Sequence, residues 1–172
     1  GLRSLSLYLV LKQIGYDVIL LDGGYKNYRR FVVKFFETSC EKYKFNQIMG
    51  VTGVGKTLFI KELSKNYQVI DFEGLANHKG SILGNIPNKN QPSQKYFETL
   101  IYEKLNSFNS KKNIWVEAES IKVGKLSIPS KIWKNMPLGK NVKVISSLEE
   151  RVRFIPVSYT HLRAHETTTN RV

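Results

Sequence analysis

Ile48-Met49-Gly50-Val51-Thr52-Gly53-Val54-Gly55-Lys56-Thr57-Leu58-Phe59-Ile60-Lys61-Glu62-Leu63 is the stretch on which the reading of this chain turns. Gly50 to Thr57 satisfies G-x-x-x-x-G-K-[ST] at every fixed position. An apolar pair precedes it, and apolar residues at helical spacing follow. Glycines let such a loop curl until successive N–H groups and a helix N-terminus face one anion. Gly50, Gly53, Val54, Gly55, Lys56 and Thr57 are therefore the expected phosphate-binding residues. Lys56 adds a mobile positive charge, and the Thr57 hydroxyl is placed to hold Mg²⁺. The competing reading is an ordinary glycine turn between a strand and a helix. The loop predicts a phosphate or pyrophosphate ligand without saying whose.

Alternation of strand and helix signals outward from the loop predicts a parallel α/β sheet from about residue 45. Strands are expected at Gln47 to Met49, Tyr67 to Phe72, Asn113 to Glu117 and Val142 to Ile145. Helices are expected after the loop, over Ser93 to Asn106 with Ser93 as N-cap, and over Pro129 to Met136. A polar, glycine-containing segment runs to about Asn90. Upstream, Leu5 to Ile14 reads as an apolar helix stopped by Gly15, and Val18 to Leu21 as a short buried strand. Tyr25 to about Tyr43 has helical periodicity, with Tyr28, Phe31, Val32, Phe35 and Phe36 on one core-facing stripe.

The 172 residues carry a formal net charge of +13, a field that attracts polyanions such as nucleic acid. A lysine-rich solubilising surface would give the same total. With 41% hydrophobic residues the chain can build a core, so global disorder is not expected. Cys40 is alone, which excludes an internal disulfide and points to a reducing compartment and a buried structural thiol. No apolar run reaches membrane-span length and no signal peptide is visible, so a cytoplasmic location without membrane contact is expected. The chain begins with Gly rather than Met, which suggests a truncated reading frame or a processed product.

Residues 157–172, from Val157-Ser158-Tyr159-Thr160-His161-Leu162-Arg163-Ala164-His165 onward, read as the translation of a sequencing adapter. His161 and His165, at i and i+4, would otherwise suggest a metal pair. His78 is then the one remaining histidine.

A phosphate loop needs a carboxylate at the end of a neighbouring strand to hold Mg²⁺, directly or through water. Two strands offer one: Asp71 or Glu73 after Val69-Ile70, and Glu117 or Glu119 after Ile114-Trp115-Val116. Acidic residues also end strands simply to face solvent. The segment Asp71-Phe72-Glu73-Gly74-Leu75-Ala76-Asn77-His78-Lys79-Gly80-Ser81 is dense in polar groups, and its His78 and Lys79 could face an anion. Gln91-Pro92-Ser93-Gln94 is a second polar cluster.

Taken in order, these segments resemble tRNA 2-selenouridine synthase over essentially residues 1 to 155. Gly1-Leu2-Arg3-Ser4, Gly15-Tyr16 and Gly23-Gly24-Tyr25-Lys26 are similar to the C-terminal end of a rhodanese-like domain. The phosphate loop, the Asp71 to Ser81 segment, Gln91 to Gln94 and Trp115-Val116-Glu117-Ala118-Glu119-Ser120 follow. The resemblance implies a remnant of a rhodanese-like domain over 1–30, a connecting helix over 31–44 and a P-loop domain, a parallel sheet with flanking helices, over 45–156.

The resemblance also implies a transferase that converts wobble 2-thiouridine in tRNA to 2-selenouridine. It would pass through S-geranyl-2-thiouridine, with geranyl diphosphate and selenophosphate as co-substrates. Glu73, His78, Lys79, Ser93 and Gln94 become candidate substrate-binding residues, and Arg3 and Ser4 the stub of the rhodanese loop. The family's cysteine lies just upstream of the Gly-x-Arg-Ser motif, so this chain, which carries no matching catalytic residue, is expected to lack the selenium-transfer step. A P-loop small-molecule kinase or NTPase, and a non-enzymatic nucleic-acid-binding module, are the alternative readings.

Overall fold

The computed structural model describes residues 2–51, 53–79, 90–118, 120–147 and 149. Thr52, Gly80, Ser81, Glu119 and the adapter-like segment 157–172 lie outside the described residues. From Phe45 onward the chain is mixed α/β. Strands β1 (Phe45–Met49), β2 (Gln68–Ile70), β3 (Ile114–Glu117) and β6 (Asn141–Lys143) form one sheet in the order β2-β3-β1-β6. All three pairings are parallel, with Ile48 opposite both Glu117 and Val142.

Alternation along the strands sends side chains to two cores. Phe45, Ile70, Ile114 and Val116 join the larger one, with Val32 and Phe35 of α2 (Gly24–Thr38), Phe97, Ile101 and Leu105 of α5 (Gln94–Asn106), and Ile132 of α6 (Ser130–Asn135). Ile48 and Val69 face the other way onto Ile60 of α3 (Lys56–Leu63), with Trp115 and Val144 packed alongside. Helices therefore cover both sheet faces, as parallel strands buried on both sides require. The expected P-loop NTPase-like parallel sheet is what the residues build.

The glycine at 139 shows how tightly one connection is set. It follows the 3₁₀ turn Met136–Leu138, and a Cβ there would fall on the Phe45 carbonyl oxygen of β1.

Several elements depart from the sequence expectation. Tyr67 to Phe72 is strand only over Gln68–Ile70, because Asp71 caps a short helix α4 (Phe72–Ala76) inside the segment read as polar loop. A two-stranded antiparallel hairpin, β4 (Lys122–Val123) and β5 (Leu126–Ser127), turns at Gly124. The helix expected to reach Tyr43 ends at Thr38, followed by a 3₁₀ turn over Cys40–Lys42. On its stripe, Val32, Phe35 and Phe36 are buried, but Phe31 is about half exposed, with its ring edge against Tyr102.

Val18 to Leu21 is not a buried strand. It joins no sheet among the described residues, and Ile19 is 94% exposed. An apolar run becomes a strand only where a ladder partner and a covering surface exist, and among the described residues no strand pairs with this one. Before it, α1 (Leu2–Gln13) forms as expected, yet none of its residues is buried.

Candidate functional site

The chain leaving β1 enters α3 on one sheet face, while the chain leaving the adjacent β3 leads to α6 on the other. At such a divergence open α/β sheets bind ligands, in the crevice at the carboxyl ends of the strands. Gly50, Val51 and Gly53 to Thr57 stand at that end of β1.

Backbone geometry gives the loop its shape. Gly53 and Gly55 adopt φ of 81° and 87°, a region costly to residues with a Cβ. Gly55 is also the N-cap of α3, so Lys56 and Thr57 begin that helix with its unpaired N–H groups on the loop side. Gly50 is needed for space: a Cβ would stand 2.8 Å from Val54 Cγ1 and 3.0 Å from the Val144 carbonyl oxygen. Val54 is buried, which pins the loop from beneath, and Thr57 is exposed on the first turn of α3.

Lys56 folds back across the loop. Its Nζ donates to the Gly50 carbonyl at 2.9 Å and lies 3.3 Å from Glu117 Oε1. Both side chains are largely enclosed, at 16% and 12% exposed. Parallel pairing of β1 with β3 brings this about, because Ala118 N–H donates to the Ile48 carbonyl and sets Glu117 beside the loop. Burial pushes the Glu117 carboxyl above the ordinary carboxylate range, and Glu73 adds repulsion. Lys56 pulls the other way without cancelling these, and Asp71 adds a further upward push. Four of the expected residues, Lys56, Glu117, Glu73 and Asp71, thus share one electrostatic neighbourhood.

Asp71 has a structural task besides. Its Oδ1 accepts from Gly74 N–H at 2.8 Å and caps α4. For a divalent cation, Thr57 and Glu117 offer hard oxygen ligands of the kind Mg²⁺ takes alongside substrate phosphates. Among the described residues, no group of three or more His, Cys, Asp or Glu side chains could hold a metal unaided.

The remaining candidates stand elsewhere. His78 follows α4 and is 7% exposed, and its Nδ1 meets no hydrogen-bond partner among the described residues. Lys79 is half-buried beside it. Ser93 caps α5 by accepting from Tyr96 N–H. Gln94 grips the hairpin: its Nε2 donates to the Ser127 carbonyl at 2.8 Å and to Glu98, and its Oε1 accepts from Ser127 N–H at 2.9 Å. Gln91 does the same at the other strand, donating to the Val123 carbonyl and accepting from Lys125 N–H. Arg3 and Ser4 lie in the first turn of α1. Glu119 lies outside the described residues.

Sequence reasoning missed the bond from Arg29 Nη2 of α2 to Glu98 Oε2 of α5, across 69 residues. Arginine and glutamate each stand in a helical pattern, but nothing local couples them. Among the described residues no helix is long and apolar enough to cross a membrane.

Comparison with known proteins gives a consistent picture. Residues 43–171 match the family described as the tRNA 2-selenouridine synthase AAA domain, a range that extends into the adapter-like 157–172 segment. A tRNA 2-selenouridine synthase of Shewanella piezotolerans is 32% identical over 163 residues, covering 94% of this chain and 44% of that protein. One of Nitrosomonas eutropha is 34% identical over 157 residues, covering 88% of this chain and 40% of the relative. One of Psychromonas ingrahamii is 33% identical over 162 residues, at 94% and 43%. The chain spans less than half the length of these relatives. No solved structure matches.

Proposed function

The chain belongs to the tRNA 2-selenouridine synthase family, and from that premise we propose that its crevice binds the diphosphate of a prenyl diphosphate co-substrate used on tRNA. The observation that carries the reading is the convergence of a left-handed Gly55 cap, Lys56 and Glu117 at the carboxyl edge of β1 and β3. Loop N–H groups and Lys56 suit an anion bearing two or more charges.

In this reading the co-substrate is geranyl diphosphate, and the diphosphate is the leaving group when the thiolated uridine sulfur takes the geranyl group. Charge grows on the diphosphate as the C–O bond breaks, and donors already aimed at it lower that barrier. Lys56 leaves Glu117 to meet the incoming anion. Glu117, its charge no longer offset, would with the Thr57 hydroxyl hold Mg²⁺. Bound there, Mg²⁺ would supply further charge neutralisation to the diphosphate oxygens. Replacement of the geranylated sulfur by selenium from selenophosphate belongs to the activity proposed for the whole protein.

Titration calorimetry with geranyl diphosphate, ATP and thiolated tRNA tests the reading. Geranyl diphosphate binding that Lys56→Ala weakens by roughly tenfold or more is the expected result. ATP hydrolysis indifferent to tRNA, with no affinity for the prenyl diphosphate, would overturn it in favour of a kinase or NTPase.

A further inference from the structure

We propose that the outward face of α2 is an RNA-docking surface, with Lys26, Arg30 and Lys34 seated on successive backbone phosphates. This rests on the reading that the protein acts on tRNA, and it assigns that contact to one place.

The three residues recur at i, i+4 and i+8, so they form one row on the helix, rising about 12 Å from first to last. All three are exposed, opposite the face that buries Val32, Phe35 and Phe36. None of them forms an ion pair among the described residues. Glu37 is the single acidic residue of the helix, one turn beyond Lys34. Arg30 and Lys34 line a shallow depression of about 430 Å³ together with Val33 and the one carboxylate, Glu37. Neighbouring Arg29 is turned inward to Glu98 and serves as the brace that fixes α2 against α5.

A row of cations with no internal partners, on a helix rigidly packed below, costs nothing in broken ion pairs when a polyanion arrives. It gains the release of counterions that the nucleic acid had condensed. RNA phosphates suit its charge and linear form better than a compact acidic ligand, which would need cations converging on one point.

The test measures binding of a tRNA transcript to the full chain by fluorescence anisotropy across a salt series. Lys26→Ala/Arg30→Ala/Lys34→Ala is compared with Lys61→Ala/Lys111→Ala/Lys112→Ala, which removes the same charge elsewhere. Alanine preserves helix propensity at the exposed positions, and melting curves check folding. The α2 variant is expected to flatten the log–log salt slope by about 2 to 3 and to weaken binding roughly tenfold or more, with a clearly smaller effect in the other variant. Equal losses in the two variants, or wild-type affinity in the α2 variant, would overturn the assignment. Wild-type protein that fails to bind tRNA even at low salt would instead overturn the tRNA reading on which the assignment rests.

Discussion

Lys56 Nζ sits 3.3 Å from Glu117 Oε1, so the lysine offered to an anion is already held by a carboxylate on the next strand. Any anion entering the loop competes with Glu117. In Mg²⁺-free buffer, where Glu117 acts only as the rival for Lys56, Glu117→Gln removes that competition and is expected to tighten pyrophosphate binding. The gain should vary with pH. Because burial and Glu73 raise the Glu117 pKa, the carboxyl takes up a proton before ordinary carboxylates do as pH falls, which frees Lys56. Wild-type affinity should therefore approach that of Glu117→Gln at low pH and fall behind it as pH rises. Calorimetry of both proteins across pH 5–8 checks this; parallel curves would contradict it.

The same shift predicts a stability effect. A folded-state pKa above the unfolded value favours the native state at pH below the unfolded pKa. That contribution is lost as pH rises through the folded value. Denaturant unfolding across this window should show a fall in stability that Glu117→Gln flattens.

Lys56→Ala should weaken diphosphate binding by about 1.5–3 kcal/mol, the range for hydrogen bonds to charged groups, or roughly 10- to 150-fold. Gly55→Ala should destabilise the fold by about 1–2 kcal/mol, since φ of 87° lies where a Cβ is penalised. It should also lose the anion. Calorimetry and urea unfolding read the two effects separately.

Gln94→Ala separates support from substrate contact. Gln94 makes two hydrogen bonds to Ser127 and one to Glu98, so the loss should be about 2 kcal/mol in unfolding free energy. Diphosphate affinity should stay unchanged. A large affinity loss with wild-type stability would instead make Gln94 a ligand contact.

Cys40 is fully buried and donates its thiol to the Phe36 carbonyl. Burial pushes its pKa upward, so the reactive thiolate is scarce at neutral pH. A thiol-specific chromogenic reagent should label it only as the chain unfolds, and rapid labelling in native buffer would contradict this.

Much of the site can be read locally because its requirements are local. The loop residues follow one another, and helical periodicity with a Ser93 cap marks α5. What escaped reading either lacks an apolar period or depends on distant partners. Asp71 was legible as a strand-end carboxylate, but its capping of α4 depends on Gly74 turning back within a segment that has no apolar period. The hairpin strands are two residues each, too short for alternation to show, and are held by Gln91 and Gln94 from another element. The apolar run at Val18 to Leu21 misled for the opposite reason: its pattern is clear, yet among the described residues no strand pairs with it and Ile19 stays 94% exposed. The link between Lys56 and Glu117 required knowing that β1 and β3 are neighbours.

Gly139 extends the reach of the loop beyond its own residues. With the Phe45 carbonyl lying where a Cβ would go, even alanine at 139 must push on the first residue of the strand that delivers Gly50. A substitution at this position, outside the loop, is therefore expected to displace the strand that leads into the anion cradle. Changes there should surface as lost binding, with every residue of the cradle still in place.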